Sequence, residues 1–203
     1  MEREQAVKHS NEAKSEALMN ERREQIKRAA LKVFAKHGIG GTKMSMIAVE
    51  AGISQGLAYR YFASKEEIFA DLVQEALENA QMALENIASL PGSPKEQFTA
   101  FSKNMLDEEH KHYFMLLQQA RTSAEVPVPV RRAMEQHSPN DTISLLIPIF
   151  IKGQQAGEFA KGDPERLLFL YFTVITGLML QDSEPTPGYW LQEVDRLMRL
   201  LTD

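Results

Sequence analysis

The sequence predicts an all-α chain in two parts, a small three-helix head followed by a larger helical body. Three observations carry this. Apolar residues recur at helical spacing along nearly the whole chain, and no run alternates as a half-buried strand does. The stretch 42–65, TKMSMIAVEAGISQGLAYRYFASK, reads as two short helices around a glycine turn. Charge is also divided: residues 1–65 hold 12 Lys/Arg against 7 Asp/Glu, and residues 66–203 hold 11 against 21. A net charge of −5 therefore hides a basic head on an acidic body. The expected divisions are a polar extension at 1–20, a head at 21–81 with its motif at 44–63, and a body at 82–203.

Residues 1–19 are polar and carry Arg3, Lys8 and Lys14 against four glutamates. They are expected either to lengthen the first helix or to remain solvated, and a net of −1 disfavours a minor-groove arm. From Glu21 to His37, Ile26, Ala30, Val33, Phe34 and His37 form one apolar stripe, with Arg28, Lys32 and Lys36 laddered on another face. Such a ladder serves equally as a solvated face or as a surface near phosphates. Gly38 and the pair Gly40-Gly41 end this helix.

Within the motif, Ile47, Ala48 and Ala51 share a helix face, and Gly52 stops that helix because glycine enters the left-handed region without a Cβ penalty. Ile53 is of a buried type. Ser54 can cap the next helix, expected over Gln55 to Phe62. Small Ala48 lets the two helices cross closely. This is a helix-turn-helix, whose second helix suits a DNA major groove.

Ser64 with Glu67 forms a capping box for a long helix carrying Ile68, Leu72, Val73, Ala76, Leu77, Ala80 and Leu84 from the head into the body. Further helices are expected over Lys95–Asp107, Tyr113–Ser123, a short segment with Arg131 and Arg132 after a 126–129 loop, and Asp141–Gly157, kinked at Pro148. Asp163-Pro164 is a strong start signal for Glu165–Gln181, which is apolar nearly all round between Leu167 and Leu180. Such a helix must bury both a core side and a partner side. An amphipathic helix over Tyr189–Leu201 ends the pattern.

The combination of Gly38, Thr42, Ile47-Ala48, Ala51-Gly52-Ile53-Ser54, Gly56, Tyr59-Arg60-Tyr61-Phe62 and Ser64-Lys65-Glu66-Glu67 resembles the DNA-binding segment of the TetR family of bacterial transcriptional regulators. The resemblance runs from about Glu21 to Glu78. It departs from the family at Leu57, where a small polar residue is usual, at Ala58, where a larger apolar one is usual, and at Lys43, where a second threonine is common. The resemblance implies that Ser45, Ser54, Gln55, Gly56 and Leu57 meet base edges, with Gln55 suited to adenine and Leu57 to a thymine methyl. Tyr59, Tyr61 and Lys65 would contact phosphates, and Arg60 a guanine or a phosphate. Phe62 reads better as packing. The resemblance also implies a homodimer on a palindromic operator, its last two helices pairing with their copies.

Two patterns are better read as decoys. Gly52-Ile53-Ser54-Gln55-Gly56 satisfies G-x-S-x-G, but a nucleophile elbow needs a preceding strand, and here a helix precedes it. His110 and His112 lie beside Glu108 and Glu109, yet i and i+2 on a helix diverge, so no metal site is expected. No cofactor, enzyme activity or catalytic residue is expected. The absence of cysteine excludes disulfide and thiolate chemistry. The first 25 residues lack the apolar core of a signal peptide. The run Leu167–Leu180 is shorter than a membrane span and contains Thr173, Thr176 and Gly177, so a cytoplasmic protein without membrane contact is expected.

In the body, Phe98, Phe101, Met105, Phe114, Phe150 and Trp190 are candidates to line a pocket for a small hydrophobic effector. Phe169, Phe172, Thr176, Leu180 and Leu197 are candidates for the dimer interface. The resulting expectation is a sequence-specific DNA-binding regulator, a repressor released by that effector. The alternatives are a constitutive DNA-organising protein without an inducer, or a helical interaction protein whose DNA site has decayed.

Overall fold

The computed structural model describes the backbone of residues 2–137, 139–181, 186 and 188–202, with side chains of that range other than 2–15 and 139–141. No strand occurs among the described residues. The chain divides into two compact units, Met1–Leu72 and Val73–Asp203, with the division falling inside a helix.

Unit 1 holds α1 (Glu2–Gly41), α2 (Met44–Glu50), α3 (Gln55–Tyr61) and the start of α4 (Lys65–Asn86). The backbone of residues 2–20 continues the first helix. Gly38 breaks α1 at φ 69° and ψ 170°, where the sequence anticipates its end. The stripe Ile26, Ala30, Val33 and Phe34 is buried, whereas His37, expected on it, is exposed. Phe34 meets Phe69 of α4 edge-on at 5.1 Å, and Ile47, Phe62, Ile68 and Leu72 complete the core around them.

Unit 2 contains the rest of α4, then α5 (Pro94–Met105), α6 (Glu108–Thr122), α7 (Val128–Glu135), α8 (Pro139–Gln155), α9 (Pro164–Met179), α10 (Tyr189–Gln192) and α11 (Val194–Leu197). Its starts are capped by side chains. Ser93 and Glu96 form a capping box on α5, and Asp163 accepts from Glu165 N ahead of Pro164 on α9. Helix α6 begins five residues before the expected Tyr113 because Asp107 accepts from Glu109 N, which places Glu108 and Glu109 in the favoured first turn. Helix α7 starts inside the expected loop, since Pro129 is tolerated in a first turn. Helix α8 runs through Pro148 as one element.

The expected last helix is three pieces. A break at Glu193 (φ −89°, ψ 0°) separates α10 from α11, and a 3-10 turn at Met198–Leu200 follows. Periodicity is preserved across these breaks, so Val194, Met198 and Leu201 are still buried. The core they join is aromatic: Phe150 stacks on Phe159 at 4.6 Å, and Phe98 meets Phe159 edge-on at 5.3 Å. At its centre Ser102 and Tyr171, both fully buried, hydrogen-bond to each other, and Ser102 Oγ also donates to Phe98 O at 2.6 Å. Burial pushes the Tyr171 hydroxyl up to about 12, opposed by the Ser102 hydrogen bond.

Candidate nucleic-acid interface

The turn of the motif is built as its residues dictate. Gly52 adopts φ +66°, and Ile53 N reaches back to Ala48 O at 2.9 Å, closing the end of α2. Ser54 takes an extended conformation and its Oγ accepts from Leu57 N at 3.2 Å, the N-cap of α3. Gln25 Nε2 on α1 donates to Ala51 O at 2.7 Å, fastening the turn to the first helix. Ser54 is thus a helix cap, and the element before it is helix α2 rather than a strand.

Helix α3 buries Ala58 completely, and that side seats it. Its other residues point outward. Gln55, Gly56, Tyr59 and Arg60 are exposed, with Tyr59 at 49%, and Leu57 and Tyr61 are half-buried. The alanine at position 58 and leucine at 57 therefore exchange the usual sizes without exchanging sides: the small residue faces the core. Ser45 on α2 is half-buried and joins Thr42, Lys43, Gln55, Tyr59 and Lys65 around an open notch of about 380 Å³. The structure brings Ser45, Gln55, Tyr59 and Lys65 of the expected set together there, with Ser54, Gly56, Leu57, Arg60 and Tyr61 elsewhere on or beside α3.

Phe62, the last of the aromatic cluster, is buried as expected for packing. The Arg23 guanidinium lies over its ring at 4.1 Å and donates to Tyr61 O at 2.8 Å and Asp71 Oδ2 at 3.0 Å. Lys65, expected against a phosphate, is turned inward. Its ammonium donates to Ile39 O at 2.7 Å and Thr42 O at 2.8 Å, and its side chain is 23% exposed. Sequence patterning gives no sign of this, because both acceptors are backbone carbonyls that fold onto it from 23 and 26 residues away. On α1, Arg28, Lys32 and Lys36 are all exposed, with Lys32 Nζ 4.0 Å from Glu50.

The candidates in unit 2 separate less cleanly. Phe98, Phe101 and Phe150 are buried, and Met105, Phe114 and Trp190 pack half-buried against the same core. They belong to one cluster, whereas a surface depression of about 720 Å³ on this unit is lined by other residues, among them Lys95, Thr99, Lys103, Glu158 and Asp195. Of the interface candidates, Phe169 and Leu180 are exposed at 63% and 51%. Phe172 instead faces inward, 5.3 Å from Tyr171 and 6.4 Å from Phe101, and half-buried Thr176 donates to its carbonyl. Leu197 packs against the core. Exposed apolar residues outside the expected set include Leu170 on α9, Leu145 and Ile151 on α8, a helix that packs on α9, and Met82, Val128 and Leu200 elsewhere in unit 2. The signal is present as the i+3 repeat Leu145, Pro148, Ile151. Exposed apolar side chains thus occur on α8 as well as on α9, and Leu200 in the closing turn is exposed too.

Among the described residues, no three His, Asp or Glu groups are placed to hold a metal ion, and no helix is long and apolar enough to cross a membrane. His110 Nδ1 lies 3.5 Å from its own N-cap, Asp107 Oδ2.

A short helix seated by its small face, with polar and aromatic residues left outward behind a capped glycine turn, defines a helix-turn-helix DNA-binding domain. Residues 26–72 match the family described as bacterial regulatory proteins, tetR family, and over that segment the chain is similar to its members. It is 33% identical over 105 residues to an uncharacterized HTH-type transcriptional regulator, YerO, of Bacillus subtilis, a match covering 49% of this chain and 36% of that one. The chain thus spans about a third of that relative's length. A fatty acid metabolism regulator protein of the same organism is 26% identical over 147 residues, covering 70% of this chain and 73% of the relative. Among solved structures, the ketosteroid transcriptional regulator KstR2 of Mycobacterium tuberculosis superimposes with a TM-score of 0.70 at 20% identity, over 90% of this chain and 95% of that one, a likeness of fold.

Proposed function

We propose that the chain is a homodimeric, operator-binding transcriptional regulator, a repressor that a small hydrophobic effector releases from DNA. The observation that carries this is the outward set Gln55, Gly56, Tyr59 and Arg60 on capped α3. Gln55 and Arg60 offer paired donors and acceptors to base edges, Leu57 an apolar contact for a thymine methyl, and the tyrosine hydroxyls hydrogen bonds to phosphates. The head is 21–81 in this reading, and the body 82–203 binds effector and partner copy.

Dimerisation is supported by the exposed apolar residues of α8 and α9, since large apolar patches on a soluble protein mark contact surfaces. Two copies of α3 would then enter successive major grooves about 34–36 Å apart. A hydrophobic effector is supported by the aromatic core of unit 2 and by the similarity to a relative named for fatty acid metabolism. Helix α4, with residues in both units, is the element through which the body would alter the head. By linkage, an effector that weakens operator binding must bind the operator complex more weakly than the free protein.

Selection of bound duplexes from random DNA tests the reading. A palindrome with half-sites about one helical turn apart is expected. Enrichment of no sequence, together with no salt-sensitive affinity, would overturn it.

A further inference from the structure

We infer that Lys43, rather than Lys65, is the residue that grips a backbone phosphate of duplex DNA at the notch between α2, α3 and the start of α4. This rests on the operator-binding reading above and assigns the charged contact within it. The notch of about 380 Å³ corresponds to roughly a dozen water volumes, room for a phosphodiester and its hydration. Two lysines line it, and their ammonium groups are differently placed. Lys65 gives two of its three N–H donors to the Ile39 and Thr42 carbonyls, and Glu66, also in the lining, lies 4.0 Å from the same nitrogen. Lys43 is exposed, and its ammonium has no hydrogen-bond or ion-pair partner among the described residues.

The two lysines are nevertheless joined by the backbone. The Thr42 carbonyl that Lys65 holds belongs to the peptide bond leading into Lys43. Buried Thr42 also donates its hydroxyl to Gly38 O at 2.7 Å. On the far side, the Lys43 carbonyl accepts from Met46 N at 3.0 Å and Ile47 N at 3.3 Å. Lys43 therefore stands on a backbone fixed before and after it, extended at φ −122° and ψ 150°, with a free charge at the notch. Lys65 is the positioning residue, and Lys43 the contact. A threonine at this place would offer a neutral hydroxyl instead of a counterion-releasing charge.

The salt dependence of binding to a labelled random-sequence DNA duplex tests the assignment. Each phosphate contact adds nearly one unit to the slope of log affinity against log salt. Lys43→Met is expected to weaken binding and flatten the slope by about one unit per subunit, and Lys43→Arg to restore it. Lys65→Met is expected to lower the melting temperature, and the Lys43→Met/Lys65→Met double variant to keep the slope of Lys43→Met alone. Because Lys43 is exposed, its variants read out even if Lys65→Met does not fold. A wild-type slope in Lys43→Met, with wild-type protein binding DNA, overturns the assignment only. Wild-type protein with no salt-dependent affinity overturns the operator-binding reading and this assignment with it.

Discussion

At the scale of single residues, charge in this molecule is divided between building the head and leaving it free to bind. Arg23 joins three segments through Tyr61 O, Asp71 and the Phe62 ring. Its ion pair with Asp71 is more than a third exposed on both sides and so contributes little. The carbonyl hydrogen bond and the ring contact dominate. Arg23→Met should cost about 2 kcal/mol and Asp71→Asn less than about 1 kcal/mol, read as denaturant midpoints. Equal losses would show the exposed pair to be the larger contribution. Tyr171 gives a pH signature. Its folded value, about 12, lies above the ordinary 10.0, so the folded state keeps the proton longer. Stability from this group is therefore complete below pH 10 and is lost as pH rises from there through about 12. Tyr171→Phe should flatten the fall in stability over that alkaline window, and it should cost about 1 kcal/mol at neutral pH for the lost hydrogen bond. An unchanged alkaline slope would contradict the assignment.

At the scale of elements, two glycines differ in what they contribute. Gly52 has φ +66° and open space around a would-be Cβ, so Gly52→Ala tests backbone strain alone and should cost about 1 kcal/mol. Gly153 has no such strain, but a Cβ there would come 2.2 Å from Phe159 Cδ2. That ring cannot retreat, being stacked on Phe150 and met edge-on by Phe98, so Gly153→Ala should cost about 2 kcal/mol or more. Melting temperatures of the two variants check the order. The contrast also separates what is legible in the sequence from what is not. Gly52, Ser54 and Asp163-Pro164 act through their own neighbours, so the local sequence alone reveals each of them. Phe159 against Phe98, Lys65 against Ile39 and Phe172 turned toward Phe101 depend on chain returning from elsewhere, and periodicity carries no record of that. The last helix reads as a single element for a related reason: its apolar repeat survives across the Glu193 break, so pattern alone does not show the break.

At the scale of the whole molecule, the acidic body and basic head would set how the chain meets DNA in the proposed role. Residues 66–203 carry 11 Lys/Arg against 21 Asp/Glu, which repels a duplex and leaves approach to the head. In the proposed dimer, the exposed Phe169, Leu170, Leu145 and Ile151 would face the partner copy. Phe169→Asp should leave the fold intact, since that side chain is outside the core, yet shift sedimentation from dimer to monomer. Loss of the second half-site contact should then weaken binding to a palindromic duplex far more than to a half-site. A variant that remains dimeric would move the interface off α9.

Helix α3 is only seven residues long, and Ala58 is its one fully buried side chain. A peptide of that length does not hold a helix in water, because nucleation outweighs the few bonds gained. Its shape is therefore on loan from α1 and α2, and its amide protons should exchange only as slowly as unit 1 opens. In the proposed role, base recognition and folding of the head become a single cooperative event: warming, a loosened Arg23 or a strained Gly52 would erase the outward surface of α3 all at once, without touching a residue on it.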